Sequence, residues 1–138
     1  MKLIAKLAFI GFVVFVAWVL YIANTGQQAM FSWLLVDIPY GDKVGHFGLF
    51  STLTILAIWA SNFRVVYIWR IPCYWATLVV LLFVAIEELS QYFIPSRRMD
   101  IYDFYADAAG IILASLLATL LHAWLYRKHR KQLNSVTE

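Results

Sequence analysis

The chain has 138 residues, of which 63% are hydrophobic and only 14% charged, with a mean hydropathy of +0.75. This length allows one domain, residues 1–138, and the long unbroken apolar runs exclude an ordinary soluble domain. The formal charge of +3 resides at chain ends and loops rather than on an aromatic-rich basic face, which argues against nucleic acid as a partner. The lone Cys73 excludes an internal disulfide and reads as a packed free thiol.

Residues 3–23 form a 21-residue run in which Lys6 is the only charge. At 1.5 Å per residue the run spans about 30 Å, one hydrocarbon core. It is too long for the apolar part of a signal peptide, and Tyr21-Ile22-Ala23 is not a small-x-small cleavage site. The expectation is an uncleaved first span with Trp18 and Tyr21 near the far interface. Residues 24–43 connect. Within them, residues 29–36 are apolar and aromatic but too short to cross, which predicts a short interfacial segment. Pro39-Tyr40-Gly41 reads as a turn, with Asp42 as the cap of the next helix.

Residues 44–60 are the second expected span, short enough to borrow a turn from either end. Residues 61–70, SNFRVVYIWR, read as a basic, aromatic interfacial loop, and Pro72 suits the first turn of a third helix. The third expected span is 71–93. It is apolar at first, then carries Glu87, Glu88 and Gln91, and is closed by Pro95. The fourth is 101–126, followed by a basic tail at 127–138. The predicted fold is an all-α bundle of four transmembrane helices. Four spans place both termini and the 61–70 loop on one side with Lys2, Lys6, Arg64, Arg70, Arg127, Lys128, Arg130 and Lys131, against Lys43, Arg97 and Arg98 on the other. Eight basic residues against three predict cytoplasmic termini in a bacterial inner membrane, with the acid-rich end facing outward.

That acid-rich end is the feature that needs an explanation. Asp100, Asp103, Asp107 and Gly110 are spaced i, i+3, i+7, i+10 and share one helix face. Glu88 and Gln91 share a face of the preceding helix, with Glu87 about 100° away and outside the expected site. Asp42, Lys43 and His46 open the second span, and the topology brings all three groups to one end. A lone acid at mid-span costs roughly 2.5–3.5 kcal/mol on insertion scales, so several must be paired, solvated or protonated. Arg97 and Arg98, on the link between the acidic helices, are the expected partners, with forks that suit carboxylate or phosphate. His46, among acids, is a candidate base, and with Glu88 and Asp103 a candidate catalytic residue. His46 could also join Glu88, Asp103 and Asp107 around a divalent metal, but no spacing matches a specific metal motif, so the favoured expectation is no metal and no cofactor. His122 reads as a packed polar residue deep in the fourth span.

These residues resemble the VanZ-like family of small membrane proteins. The resemblance rests on Asp42-Lys43-x-x-His46-Phe47 and on Glu88-x-x-Gln91-x-x-x-Pro95-x-Arg97-x-x-Asp100-x-x-Asp103-x-x-x-Asp107-x-x-Gly110, and it covers about residues 40–115. The chain departs from the family pattern at Asp107, more often Asn, at Ser96, more often Gly, and at Phe50, more often Tyr. The resemblance implies four membrane helices with the shared polar residues at one end. It also implies an association with low-level resistance to the glycopeptide teicoplanin, the property of the family's namesake. The expected ligand-binding set is Asp42, Lys43, His46, Glu88, Gln91, Arg97, Arg98, Asp100, Asp103 and Asp107. Three functions are open: binding a polar or anionic group of an envelope lipid, lipid-linked cell-wall precursor or glycopeptide; an enzyme acting on a lipid-linked phosphate or ester; or a structural or partner-binding protein. A homo-oligomer is a further expectation, because Ala106, Ala109, Gly110 and Ala114 permit close helix approach.

Overall fold

The computed structural model describes residues 2–26, 40–95, 97 and 99–134. Among the described residues four helices and one hairpin follow in order: α1 (Lys2–Asn24), α2 (Gly41–Ala60), β1 (Val65–Ile68), β2 (Ile71–Tyr74), α3 (Trp75–Gln91) and α4 (Ile101–Asn134). The expected interfacial segment at 29–36 lies outside the described residues, as do Ser96 and Arg98.

Among the described residues three stretches are long and apolar enough to cross a membrane: Leu3–Asn24, Gly41–Ala60 and Ile101–Lys128. The expected third span is not among them. Helix α3 has 17 residues and starts at Trp75 rather than at 71, because Ile71–Tyr74 pairs with Val65–Ile68 in an antiparallel hairpin. Pro72 therefore sits in β2 opposite Tyr67, not in a first helical turn. The 61–70 loop likewise contains a strand, Val65–Ile68. The hairpin carries no Asn-Gly or Asp-Gly signal at its two-residue turn; Trp69 takes the left-handed position there at φ 58°. Helix α4 runs without a break past residue 127 to Asn134, so the first part of the basic tail is helical.

Helix α2 borrows its extra turn from the N-terminal side and begins at Gly41. Tyr40 occupies the cap position at φ 60°, so Asp42 lies inside the first turn and does not cap as expected. Asp100 does cap: its Oδ1 accepts the Tyr102 N–H at 2.9 Å, two residues on. Ser51, Thr52 and Thr54 turn their hydroxyls to the carbonyls four residues back, the expected way of satisfying a hydroxyl in an apolar helix.

Helices α2 and α4 make the closest pair and run parallel, with partners 60 and 61 residues apart along the first turns of each. Helix α3 returns antiparallel beside them, joined to α4 by the Thr77–Ser115 hydroxyl pair at 2.7 Å. The core is small: Phe50, Leu53, Ala57 and Ile58 of α2 meet Ala76, Val80 and Val84 of α3 and Ile111 and Ala118 of α4. Phe9 and Phe12 of α1 pack on it. Outward faces carry Leu3, Ile10, Val14, Leu82, Ile86, Leu116 and Leu120, all exposed. An apolar exterior of this kind suits hydrocarbon rather than water. His122 is exposed and stacks on Phe63 at 4.7 Å, so it is not the enclosed residue that its position suggests.

Candidate functional site

Gly110 sets how close α2 and α4 come. A Cβ on it would stand 2.6 Å from the Phe47 carbonyl oxygen and 2.7 Å from Ser51 Oγ. Above this contact the parallel helices hold their polar side chains at matching heights. Helix α3 brings its C-terminal turns to the same level, and the link after it returns Arg97.

The result is a polar column graded in depth. At the rim, Asp42 and Asp100 have side chains 64% and 39% exposed, and Lys43 lies beneath them at 23%. Lysine has three N–H donors. Lys43 donates to Asp42 Oδ2 at 3.0 Å, Asp100 Oδ2 at 2.9 Å and Asp103 Oδ1 at 2.7 Å. Next comes His46, whose Nδ1 faces Asp107 Oδ1 at 3.1 Å and Oδ2 at 3.3 Å, with Nε2 3.9 Å from Asp103 Oδ2. At the base, Asp107, Gln91, Glu88 and Glu87 are all buried. Gln91 Nε2 donates to Glu87 Oε2 at 3.0 Å and to Glu88 Oε1 at 2.9 Å. Arg97 approaches Glu87 Oε1 at 3.5 Å.

Nine of the ten residues expected in the site therefore meet, and Arg98 lies outside the described residues. Glu87 corrects the expected set. It joins the cluster despite its angle and is the ion-pair partner of Arg97. The sequence does carry a signal for it, since Glu87 is i−4 to Gln91 just as Glu88 is i−3, and both spacings bring side chains together on a helix. Six of the chain's eight acids thus converge on two described cations, Lys43 and Arg97, and on His46. Such a group can accept N–H donors or a cation. It can also move a proton at His46, whose ring is oriented by Asp107.

Asp100 lies in the link ahead of α4. The hydrogen bond from Lys43, and then that from the Tyr102 N–H, hold its carboxyl below the ordinary aspartate range. A carboxyl depressed in the folded state contributes stability that is present above its unfolded pKa and is lost as pH falls through the folded one. Acidification below about pH 4 is therefore expected to lower the thermal midpoint of the detergent-solubilised protein. In Asp100→Asn the midpoint should be lower at neutral pH and its acid decline shallower. An unchanged acid decline would assign that limb to other groups.

An apolar helical bundle with an acid-rich column sunk into one end defines a small helical membrane protein. The family model VanZ/LLP1 matches residues 3–122, and the chain belongs to that family. No curated protein and no solved structure matches it.

Proposed function

We propose that this VanZ-like protein binds a polar headgroup at the outer membrane surface, presented by an envelope lipid, a lipid-linked cell-wall precursor or a glycopeptide. The observation that carries this reading is the continuity of the column, from exposed Asp42 and half-buried Asp100 to fully enclosed Asp107 at one end of an apolar bundle. Intramembrane ionisable groups are costly and mark binding or transport pathways more often than packing. The surplus of carboxylates favours a headgroup that brings N–H donors or positive charge. An anionic group enters where Arg97 exchanges Glu87 for it, and the 3.5 Å contact, the one ion pair of Arg97 among the described residues, leaves other guanidinium donors for that exchange. A role in teicoplanin resistance follows from the family resemblance and is part of the same proposal.

The proposal includes α3 as a crossing element in a four-span bundle. Helices α2 and α4 are parallel and both start at the site end, so the chain between them has to return through the bilayer. Exposed aromatic residues flank α3 at both ends, Trp75 at one and Tyr92 and Phe93 at the other, as at two interfaces. With α3 crossing, the excess of basic residues favours cytoplasmic termini in a bacterial inner membrane.

The test is native mass spectrometry of the protein extracted with bacterial lipids. Wild type is expected to retain phosphatidylethanolamine in preference to phosphatidylglycerol, and Arg97→Ala to lose retained lipid while still eluting as folded protein. Unselective retention, or full retention in Arg97→Ala, sinks the reading. A second reading, a lipid-directed hydrolase with His46 as base, is favoured by the His46–Asp107 pair, since a base held by an enclosed carboxylate is the arrangement that proton transfer needs. Turnover of labelled envelope lipid that His46→Gln removes would select it over simple binding.

A further inference from the structure

The base of the column has one feature that neither packing nor headgroup binding accounts for. Glu88 is 4% exposed; its Oε1 accepts from Gln91, but its Oε2 has no hydrogen-bond partner among the described residues. It is the only buried side-chain nitrogen or oxygen so placed among them. An unpaired buried carboxylate oxygen bears the desolvation cost of the group with no return. Asp107, fully buried, is met only by His46 among the described side chains. The two lysine and arginine partners are engaged elsewhere, Lys43 with Asp42, Asp100 and Asp103, and Arg97 with Glu87. Among the described residues, Glu88 and Asp107 are therefore two buried acids without a fixed cation.

We infer that His46, Glu88 and Asp107 form a site for a divalent metal ion of the Mn2+ to Zn2+ series. One ligand atom from each lies within 4.8 Å of the others. Ligands about 2.0–2.2 Å from a common tetrahedral ion stand roughly 3.5 Å apart, so modest side-chain rotation closes the set. The donor chemistry selects the ion. Imidazole favours Zn2+ and other later first-row metals, and carboxylates favour Mn2+ and harder ions, so a mixed set excludes a soft, thiol-seeking metal. The ion supplies the missing partner of Glu88 Oε2 and positive charge where the buried acids are uncompensated. Asp103, 3.9 Å from His46 Nε2, stands beside the set as a further oxygen donor or as an orienting group. No spacing along the sequence announces this site, because its three ligands come from three helices.

The ion needs only the base of the column and not headgroup binding, so it is tested without lipid. The full chain in detergent is stripped with chelator, loaded with Zn2+ or Mn2+, freed of excess metal and assayed for metal per chain by mass spectrometry. A single ion per chain and a raised thermal midpoint are expected. Glu88→Gln and Asp107→Asn should each weaken binding by more than the roughly 10–100-fold that loss of an outer partner costs. His122→Ala, an exposed histidine away from the cluster, should bind as wild type. Because the acid variants can also fail to fold, Co2+ absorption of the wild type is a second readout: bands of a low-coordinate nitrogen–oxygen site are expected. Wild type with only trace metal, full binding in folded Glu88→Gln or Asp107→Asn, or a cobalt spectrum identical to the hexaaqua ion would each overturn the site.

Discussion

Replacing Gly110 by valine is expected to abolish most folded protein. The Cβ alone would meet the Phe47 carbonyl oxygen at 2.6 Å, its carbon at 3.3 Å and Ser51 Oγ at 2.7 Å. The neighbours cannot swing aside: one is backbone, and the Ser51 hydroxyl is bonded to that same carbonyl at 2.6 Å. Overpacking commonly costs about 1–3 kcal/mol, and Gly110→Ala already belongs there, with the branched side chain beyond it. Relief requires α2 and α4 to separate, which pulls Lys43 from Asp103 and His46 from Asp107 together with the core. Gly48 is the contrast, because a methyl group added there would meet nothing within 4 Å. Gly48→Ala should be neutral or stabilising by about 0.5–1 kcal/mol, the ordinary helix preference for alanine. Thermal unfolding and gel filtration in detergent measure both, and equal midpoints for the two alanine variants would show that the helix crossing has slack.

Lys43→Met is the second large effect expected. It leaves Asp103, 13% exposed, without its closest cation and removes the common partner of Asp42 and Asp100. Breaking a buried charge pair from one side costs about 3–5 kcal/mol, and the 23% exposure of Lys43 places this case near about 3 kcal/mol. Neutralising Asp103 in the same chain should restore part of the loss, because the penalty arises from the uncompensated acid rather than from the missing lysine. The comparison is a double-mutant cycle on the unfolding midpoint with Lys43→Met, Asp103→Asn and both. Additive effects would mean that Lys43 and Asp103 are not coupled.

The glutamate pair shows how far reading along one helix reaches. Helical spacing puts Glu88 on the face of Gln91, and the structure has it there. Glu87 stands about 100° from Glu88 and is left out on that ground, yet it is i−4 to Gln91, whose side chain reaches both acids, and Arg97 reaches Glu87 from the link. The hairpin at residues 65–74 is illegible for a different reason. Its turn lacks glycine and asparagine, and its apolar residues continue the pattern of the helix that follows. Pairing between β1 and β2 decides where α3 starts and so how long it is.

By itself the sequence determined the membrane character of the chain, the extents of the first, second and fourth apolar spans to within a few residues, and the end of the bundle at which the acids gather. Those properties follow from runs and periodicities along one chain, where length and hydropathy add residue by residue. The tertiary structure decided the pairings: Lys43 among three carboxylates, His46 on Asp107, Arg97 on Glu87, and Glu88 with one oxygen unmatched. A contact between helices depends on their relative height and rotation. Here both are set by the close approach at Gly110, a constraint between residues some sixty positions apart that no local pattern contains.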